Sequence, residues 1–147
     1  MFGRILVVCV GNTCRSPMAE AVLLQRLAGR DISIASAGIA ALVGRPADPI
    51  ARQLMLERGL DISRHRARQL TRDMIFASDL VLAMDCSVKG AIEQLVPASL
   101  GRVQRIGCFG RFDVPDPVGG GRSEFMRALS FIEDGIEELE RAFWSGS

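Results

Sequence analysis

The sequence predicts an α/β protein: a single three-layer domain, residues 1–147, built on a four-stranded parallel sheet with helices on both faces. Two observations predict it. Short apolar, β-branched runs alternate with helical apolar patterns along the chain, the order expected when helices cross over between parallel strands. A length of 147 residues with 48% apolar side chains suits one domain with an ample core. No repeats, linkers or low-complexity tracts interrupt that order.

The elements follow from the N-terminus. Ile5-Leu6-Val7-Val8 is an apolar run that reads as a strand buried on both faces, which places Cys9 at its C-terminal end. Ser16 can cap a helix and Pro17 fits its first position, ahead of the helical pattern Met18 to Leu24. Ile32 to Ala35 reads as a second strand, followed by a loop from Gly38 to Ala47. Asp48-Pro49 starts a helix with Ile50, Leu54 and Met55 on its apolar face and an end near Gly59. Leu80 to Ala83 is a third buried strand, and a helix from about Ser87 to Leu95 stops before Pro97. Val103 to Ile106 supplies a fourth strand. After the Pro/Gly-rich loop Val114 to Gly121, a helix from about Ser123 to Phe143 carries Phe125, Leu129, Ile132, Ile136 and Leu139 on one face. Ligands of such sheets bind at the C-terminal ends of the strands, where Cys9 lies.

The stretch Cys9-Val10-Gly11-Asn12-Thr13-Cys14-Arg15-Ser16 sets a thiol and a guanidinium six positions apart between a strand and a helix. Unpaired N–H groups at the helix start, and the positive end of its dipole, make the loop a site for an oxyanion. Gly11 and Asn12 tolerate left-handed backbone, which turns successive N–H groups into one concave nest. Arg15 adds a planar fork for two phosphate oxygens. The same field favours the thiolate of Cys9, a nucleophile facing a bound phosphate, and the Ser16 hydroxyl can stabilise that sulfur as a leaving group. Taken alone, Cys9 reads as a buried strand cysteine followed by an ordinary βα turn, and it is the whole octet that points to phosphate chemistry.

Composition sets bounds on the rest. The 18 basic and 17 acidic residues nearly cancel, so the global charge calls for neither nucleic acid nor a membrane surface. Four cysteines without a secretory signal read as thiols of a reducing compartment, and no apolar run reaches spanning length. A cytoplasmic protein without membrane insertion is expected. One histidine and scattered cysteines lack metal-ligand spacing, so no metal or other cofactor is expected. Asp116, between Pro115 and Pro117, sits on a stiff loop able to hold an acid over the phosphate site, but alone it reads as an exposed turn residue.

Cys-x5-Arg-Ser between a first strand and a first helix resembles the low-molecular-weight protein tyrosine phosphatases. The match runs from Val8 through Glu20 and returns at Ser36-Ala37-Gly38, His65 to Thr71, Asp79 to Asp85 and Val114 to Pro117, essentially the whole chain. It is similar to the bacterial branch that works beside exopolysaccharide tyrosine kinases. The resemblance implies that family's fold and a metal-free protein tyrosine phosphatase. In it Cys9 attacks phosphorus, Arg15 and the amides from Val10 to Ser16 hold the phosphate oxygens, and Asp116 is general acid and then base; Asp113 and Asp85 are weaker candidates. It implies that Ser36 and His65 support Asn12 through hydrogen bonds. Cys14 is either a partner for a reversible disulfide with Cys9 or a small packing residue, and Cys86 and Cys108 are structural or inert. A phosphorylated protein is the implied partner, such as an autophosphorylated tyrosine kinase of polysaccharide export, with the chain acting as a monomer or weak dimer.

Two departures bear on the substrate. Val118 stands where many tyrosine-specific members have an aromatic residue, and the chain has no tyrosine, so control through its own phosphotyrosines is excluded. Leu42, with Phe109 or Phe112, is expected to line the cleft instead. Thr13 stands where tyrosine phosphatases more often have an aliphatic residue; with Gly119-Gly120 it resembles the protein-arginine phosphatases, which makes phosphoarginine the alternative substrate. An arsenate reductase shares the loop but needs two further cysteines close together, and Cys86 and Cys108 lie far apart. A non-catalytic phosphoprotein-binding module would have lost Cys9, Arg15 or Asp116, and all three are present.

Overall fold

Sheet pairing begins with β1, Arg4–Cys9, whose last five residues are all buried. In the computed structural model, which describes residues 2–145, it is flanked by β2, Ser33–Gly38, and β3, Leu80–Ala83; β4, Val103–Arg105, completes the order β2-β1-β3-β4. All pairings are parallel. The expected four-stranded parallel sheet is therefore the fold, with one-residue differences at several ends and a longer second strand. β2 runs on through Ser36-Ala37-Gly38 because each of its residues pairs with one of β1, from Arg4 with Ser33 to Cys9 with Gly38. Pairing overrides the weak strand preference of those small residues.

Alternation along the central strands divides the apolar residues between two cores. Ile5, Val7 and Cys9 of β1 join Leu80 and Leu82 of β3 beneath α1 (Arg15–Arg26), α2 (Pro49–Glu57) and α5 (Arg122–Phe143). Leu6, Val8, Val81 and Ala83 face the other way, against α3 (Arg72–Phe76) and α4 (Cys86–Leu95). On α5 the buried residues Phe125, Ala128, Leu129, Ile132, Ile136 and Leu139 recur at three- and four-residue spacing, the apolar stripe read from the sequence. Gly135 lies on that stripe, where a Cβ would come within 2.6 Å of the Ile106 carbonyl oxygen. A bare backbone there lets α5 approach the end of β4.

Two elements go beyond the sequence reading. α3 is capped by the Thr71 hydroxyl, which accepts from the Met74 amide, and Pro97–Arg102 forms a 3₁₀ helix. Both are too short to carry a periodic signal. α2 starts as expected, with the Asp48 carboxylate accepting the Ile50 amide at 2.8 Å and Pro49 in its first turn. Its end is set by Gly59, whose φ of +77° is open to glycine at little cost. No helix among the described residues is long and apolar enough to cross a membrane.

Candidate active site

The loop from Cys9 to Cys14 has its carbonyl groups pulled outward. Those of Cys9, Val10 and Gly11 accept the amides of Ile39, Ala40 and Leu42, each at 3.0 Å, and that of Thr13 accepts Asp48 N–H at 2.8 Å. The Asn12 carbonyl takes the His65 ring at 2.6 Å, and Cys14 accepts Met18 N–H as α1 begins. With every carbonyl tied to the surrounding chain, the N–H groups turn to the inside of the bowl. Those of Val10, Gly11, Thr13 and Cys14 have no acceptor among the described residues, and that of Asn12 reaches Cys9 Sγ at 3.2 Å. A ring of aligned donors at a helix N-terminus is a receptor for a tetrahedral oxyanion.

Asn12 is fully buried and takes a φ of +61°, a conformation costing about 1–2 kcal/mol for a residue with a side chain. Its hydrogen bonds hold it there. Nδ2 donates to Ser16 Oγ at 2.7 Å and to Ser36 Oγ at 3.0 Å, while Oδ1 accepts the Arg68 amide at 2.9 Å. Because the Asn12 carbonyl can only accept, His65 Nε2 carries the proton of that contact. Ser36 accepts from Asn12 and so gives its own proton to Glu20 Oε1 at 2.7 Å. Ser16 likewise accepts from Asn12 and directs its hydroxyl proton to Cys9 Sγ at 2.9 Å.

Three local expectations are corrected. Ser16 is not the helix cap: helical backbone starts at Arg15, Cys14 occupies the cap position without a side-chain hydrogen bond, and the Ser16 hydroxyl is committed to sulfur. Gly11 is not left-handed, and a Cβ there would stand in ordinary contact, 3.7 Å from Thr13 Oγ1 and 3.8 Å from Leu42 Cγ. Phe109 and Phe112 do not line the cleft. Phe109 stacks edge-on against Phe143, and Phe112 packs on Phe131 with its ring crowded against the bare backbones of Gly107 and Gly110.

Arg15 is 2% exposed, and its charge is satisfied from behind. Nη1 donates to Asp85 Oδ2 and to the Val114 carbonyl, both at 2.8 Å, while Nη2 lies 3.6 Å from Asp116 Oδ2. Asp85, whose other oxygen caps α4 at Val88 N–H, thus holds the guanidinium in place. For Asp113, burial pushes the carboxyl up, but hydrogen bonds from Arg105 and Cys86 outweigh it and hold the group below the usual carboxylate range. That leaves Asp116, which is exposed, accepts Val118 N–H at 3.1 Å and lines the cleft. The cavity has a volume of about 290 Å³, with Cys9, Arg15, Thr13 and Asp116 around it and the aliphatic Val10, Leu42 and Val118 on its walls. Cys14 also lines it, and burial pushes its thiol up to about 11. No group of three His, Cys, Asp or Glu side chains converges to hold a metal ion among the described residues. Sequence reading assigned no chemistry to Glu20 or Arg68; the signal was present only as their place in the matched segments.

An α/β sheet that gathers a thiol, a buried guanidinium and a carboxylate around one oxyanion bowl is an arrangement suited to a phosphatase. The chain belongs to the low molecular weight phosphotyrosine protein phosphatase family, whose model matches residues 4–144. It is 47% identical over 137 residues, 93% of each chain, to the probable low molecular weight protein-tyrosine-phosphatase EpsP of Ralstonia nicotianae. Over 146 residues it is 38% identical to the Wzb tyrosine phosphatase of Escherichia coli K12, covering 97% of this chain and 96% of that one. Among solved structures, Vibrio vulnificus Wzb in complex with benzylphosphonate superposes with a TM-score of 0.91 at 35% identity, covering 97% of this chain and all of the other. The YwlE arginine phosphatase has a TM-score of 0.88 at 29% identity, with 97% of both chains covered.

Proposed function

We propose that this phosphatase hydrolyses phosphotyrosine in a protein substrate through a cysteinyl phosphate on Cys9. The observation that carries the reading is the bowl itself: outward-tied carbonyls, inward amides, and Cys9 Sγ at its base beside Arg15. In the first step the thiolate of Cys9 attacks phosphorus in line. An S–P bond forms, the P–O bond to the tyrosine breaks, and its electron pair leaves on the phenolic oxygen, which takes the Asp116 proton. Arg15 Nη2 and the amides from Val10 to Ser16 hold the three equatorial oxygens, where charge accumulates. In the second step water attacks phosphorus and gives a proton to the Asp116 carboxylate. The S–P bond breaks, its pair returns to sulfur, and the Ser16 hydroxyl donates to that sulfur as it leaves.

Ser36 and His65 are positioning residues in this reading: they bond Asn12 and thereby the loop, and neither touches the bowl's interior. The aliphatic walls at Leu42 and Val118 give an aryl ring apolar contact without stacking. The similarity to EpsP and Wzb supports a phosphorylated tyrosine kinase of polysaccharide export as the substrate protein; that the enzyme meets it as a monomer or weak dimer is part of the same proposal. Four free cysteines support a reducing, cytoplasmic location. A second reading, phosphoarginine, rests on Thr13, whose hydroxyl side chain lines the cleft where an aliphatic one would press on a ring.

Phosphate release from matched phosphotyrosine and phosphoarginine peptides tests both readings, with Cys9→Ser, Asp116→Asn and Thr13→Ile alongside. The proposal expects preferential phosphotyrosine turnover, abolished in Cys9→Ser and slowed about 10²–10⁴-fold in Asp116→Asn. Preference for phosphoarginine that reverses in Thr13→Ile moves the protein to the other reading.

A further inference from the structure

Thr13, Leu42 and Asp48 are shared between the catalytic cleft and a second cavity of about 330 Å³ beside it. Arg45 and Arg52 line only the second. Arg52 Nε is buried and has no hydrogen-bond partner, the only such side-chain nitrogen or oxygen among the described residues. A buried donor on a charged group is costly to leave unpaired, and native structures rarely do so without a reason. The nearest candidate does not take it. Asp48, one helical turn earlier, forms no ion pair with Arg52 and uses a carboxylate oxygen to cap α2 at Ile50. Two guanidinium groups against one carboxylate leave the cavity with a surplus positive charge.

We propose that Arg45 and Arg52 form an anion subsite for a second acidic group of the peptide whose phosphotyrosine occupies the cleft. Because the two cavities share three walls, the anion belongs to a residue within about three positions of the phosphotyrosine, at roughly 3.3–3.6 Å of extended chain per residue. The paired Nη groups of a guanidinium grip two oxygens at once, a geometry suited equally to a carboxylate and to a second phosphate. The subsite acts on binding, because neither arginine lines the bowl around Cys9. It rests on the phosphotyrosine-peptide reading given above.

The test is steady-state kinetics on matched phosphotyrosine peptides. One set has neutral flanks, one has glutamate at each position within three residues, and one has a second phosphotyrosine there. Wild type is compared with Arg45→Gln, Arg52→Gln and Arg52→Lys, and p-nitrophenyl phosphate serves as a substrate too small to reach the subsite. An anionic flank is expected to lower KM about tenfold with kcat unchanged. Either Gln variant removes most of that advantage, Arg52→Lys restores part of it, and kcat for p-nitrophenyl phosphate stays constant in all, which shows that the variants are folded. Comparison of the glutamate and phosphotyrosine arms identifies which anion is read. Equal KM values for neutral and anionic peptides, or an advantage that persists in both Gln variants, overturn the subsite. If p-nitrophenyl phosphate is hydrolysed and no peptide is, the peptide reading itself fails and the subsite falls with it.

Discussion

Asn12 concentrates the chemistry of the loop in one residue: a left-handed backbone with no exposed surface, held by hydrogen bonds to Ser16, Ser36, Arg68 and His65. Arg15 is supported in a comparable way by Asp85 and Val114. Asp85→Asn leaves a buried guanidinium half-paired, so it is expected to destabilise the fold by about 2 kcal/mol and to lower kcat/KM with it, as read by denaturant melts and kinetics. Cys14 gives a prediction in pH. Its thiol is pushed up to about 11 by burial, and the nearby Asp48 and Asp116 charges act in the same direction. A raised pKa withholds the thiolate, so site-resolved alkylation followed by mass spectrometry should find Cys14 slow at neutral pH and reactive only as pH approaches 11; rapid labelling at pH 7 contradicts the assignment. At this scale the convergence of Cys9, Arg15 and Asp116 on one cavity was legible, because one short motif and one stiff loop carry them. The tie between Arg15 and Asp85 was not, since the partners lie 70 positions apart and only the pairing of β1 with β3 joins them. Phe109 and Phe112 misled because an aromatic residue in a loop can face a cleft or fold back on a helix, and bare glycines at 107 and 110 admit the second course.

At the level of elements, the site depends on how closely β2 approaches the loop. A Cβ on Gly38 would stand 2.4 Å from the Val10 carbonyl oxygen and 3.0 Å from the Asn12 nitrogen, both backbone atoms that cannot swing aside. Gly38→Ala is therefore expected to displace the oxyanion bowl. Its kcat/KM should fall by at least about tenfold, the effect of a small misplacement at the reacting centre. Gly135→Ala makes the contrasting case: it crowds the Ile106 carbonyl far from the bowl, so it should destabilise by about 1–3 kcal/mol while leaving kcat of the folded fraction unchanged. Paired melts and kinetics on the two variants separate the roles. The periodic helices and the β-branched strands were readable in advance, whereas the second half of β2 was not, because its small residues are held extended by β1 and not by their own preference.

Across the whole molecule, two apolar cores lock the sheet from both faces, and the C-terminal edge of that sheet is where the catalytic cleft opens. Family membership and fold were both within reach of the sequence, since the matched segments extend along nearly the full chain and their order follows the alternating elements. The anion subsite was not, because Arg45 and Arg52 gain meaning only once the loop after β2 and the start of α2 are brought against Thr13. In the proposed mechanism the fold holds Cys9 under a phosphate and carries that phosphate briefly on sulfur. Rapid quenching of the enzyme during turnover of a phosphotyrosine peptide, followed by mass mapping, tests that claim most directly. One phosphoryl group is expected on the peptide containing Cys9, formed before phosphate is released and absent, together with all turnover, in Cys9→Ser. Phosphate release that survives in Cys9→Ser, or a phosphoryl group found on another residue, contradicts it.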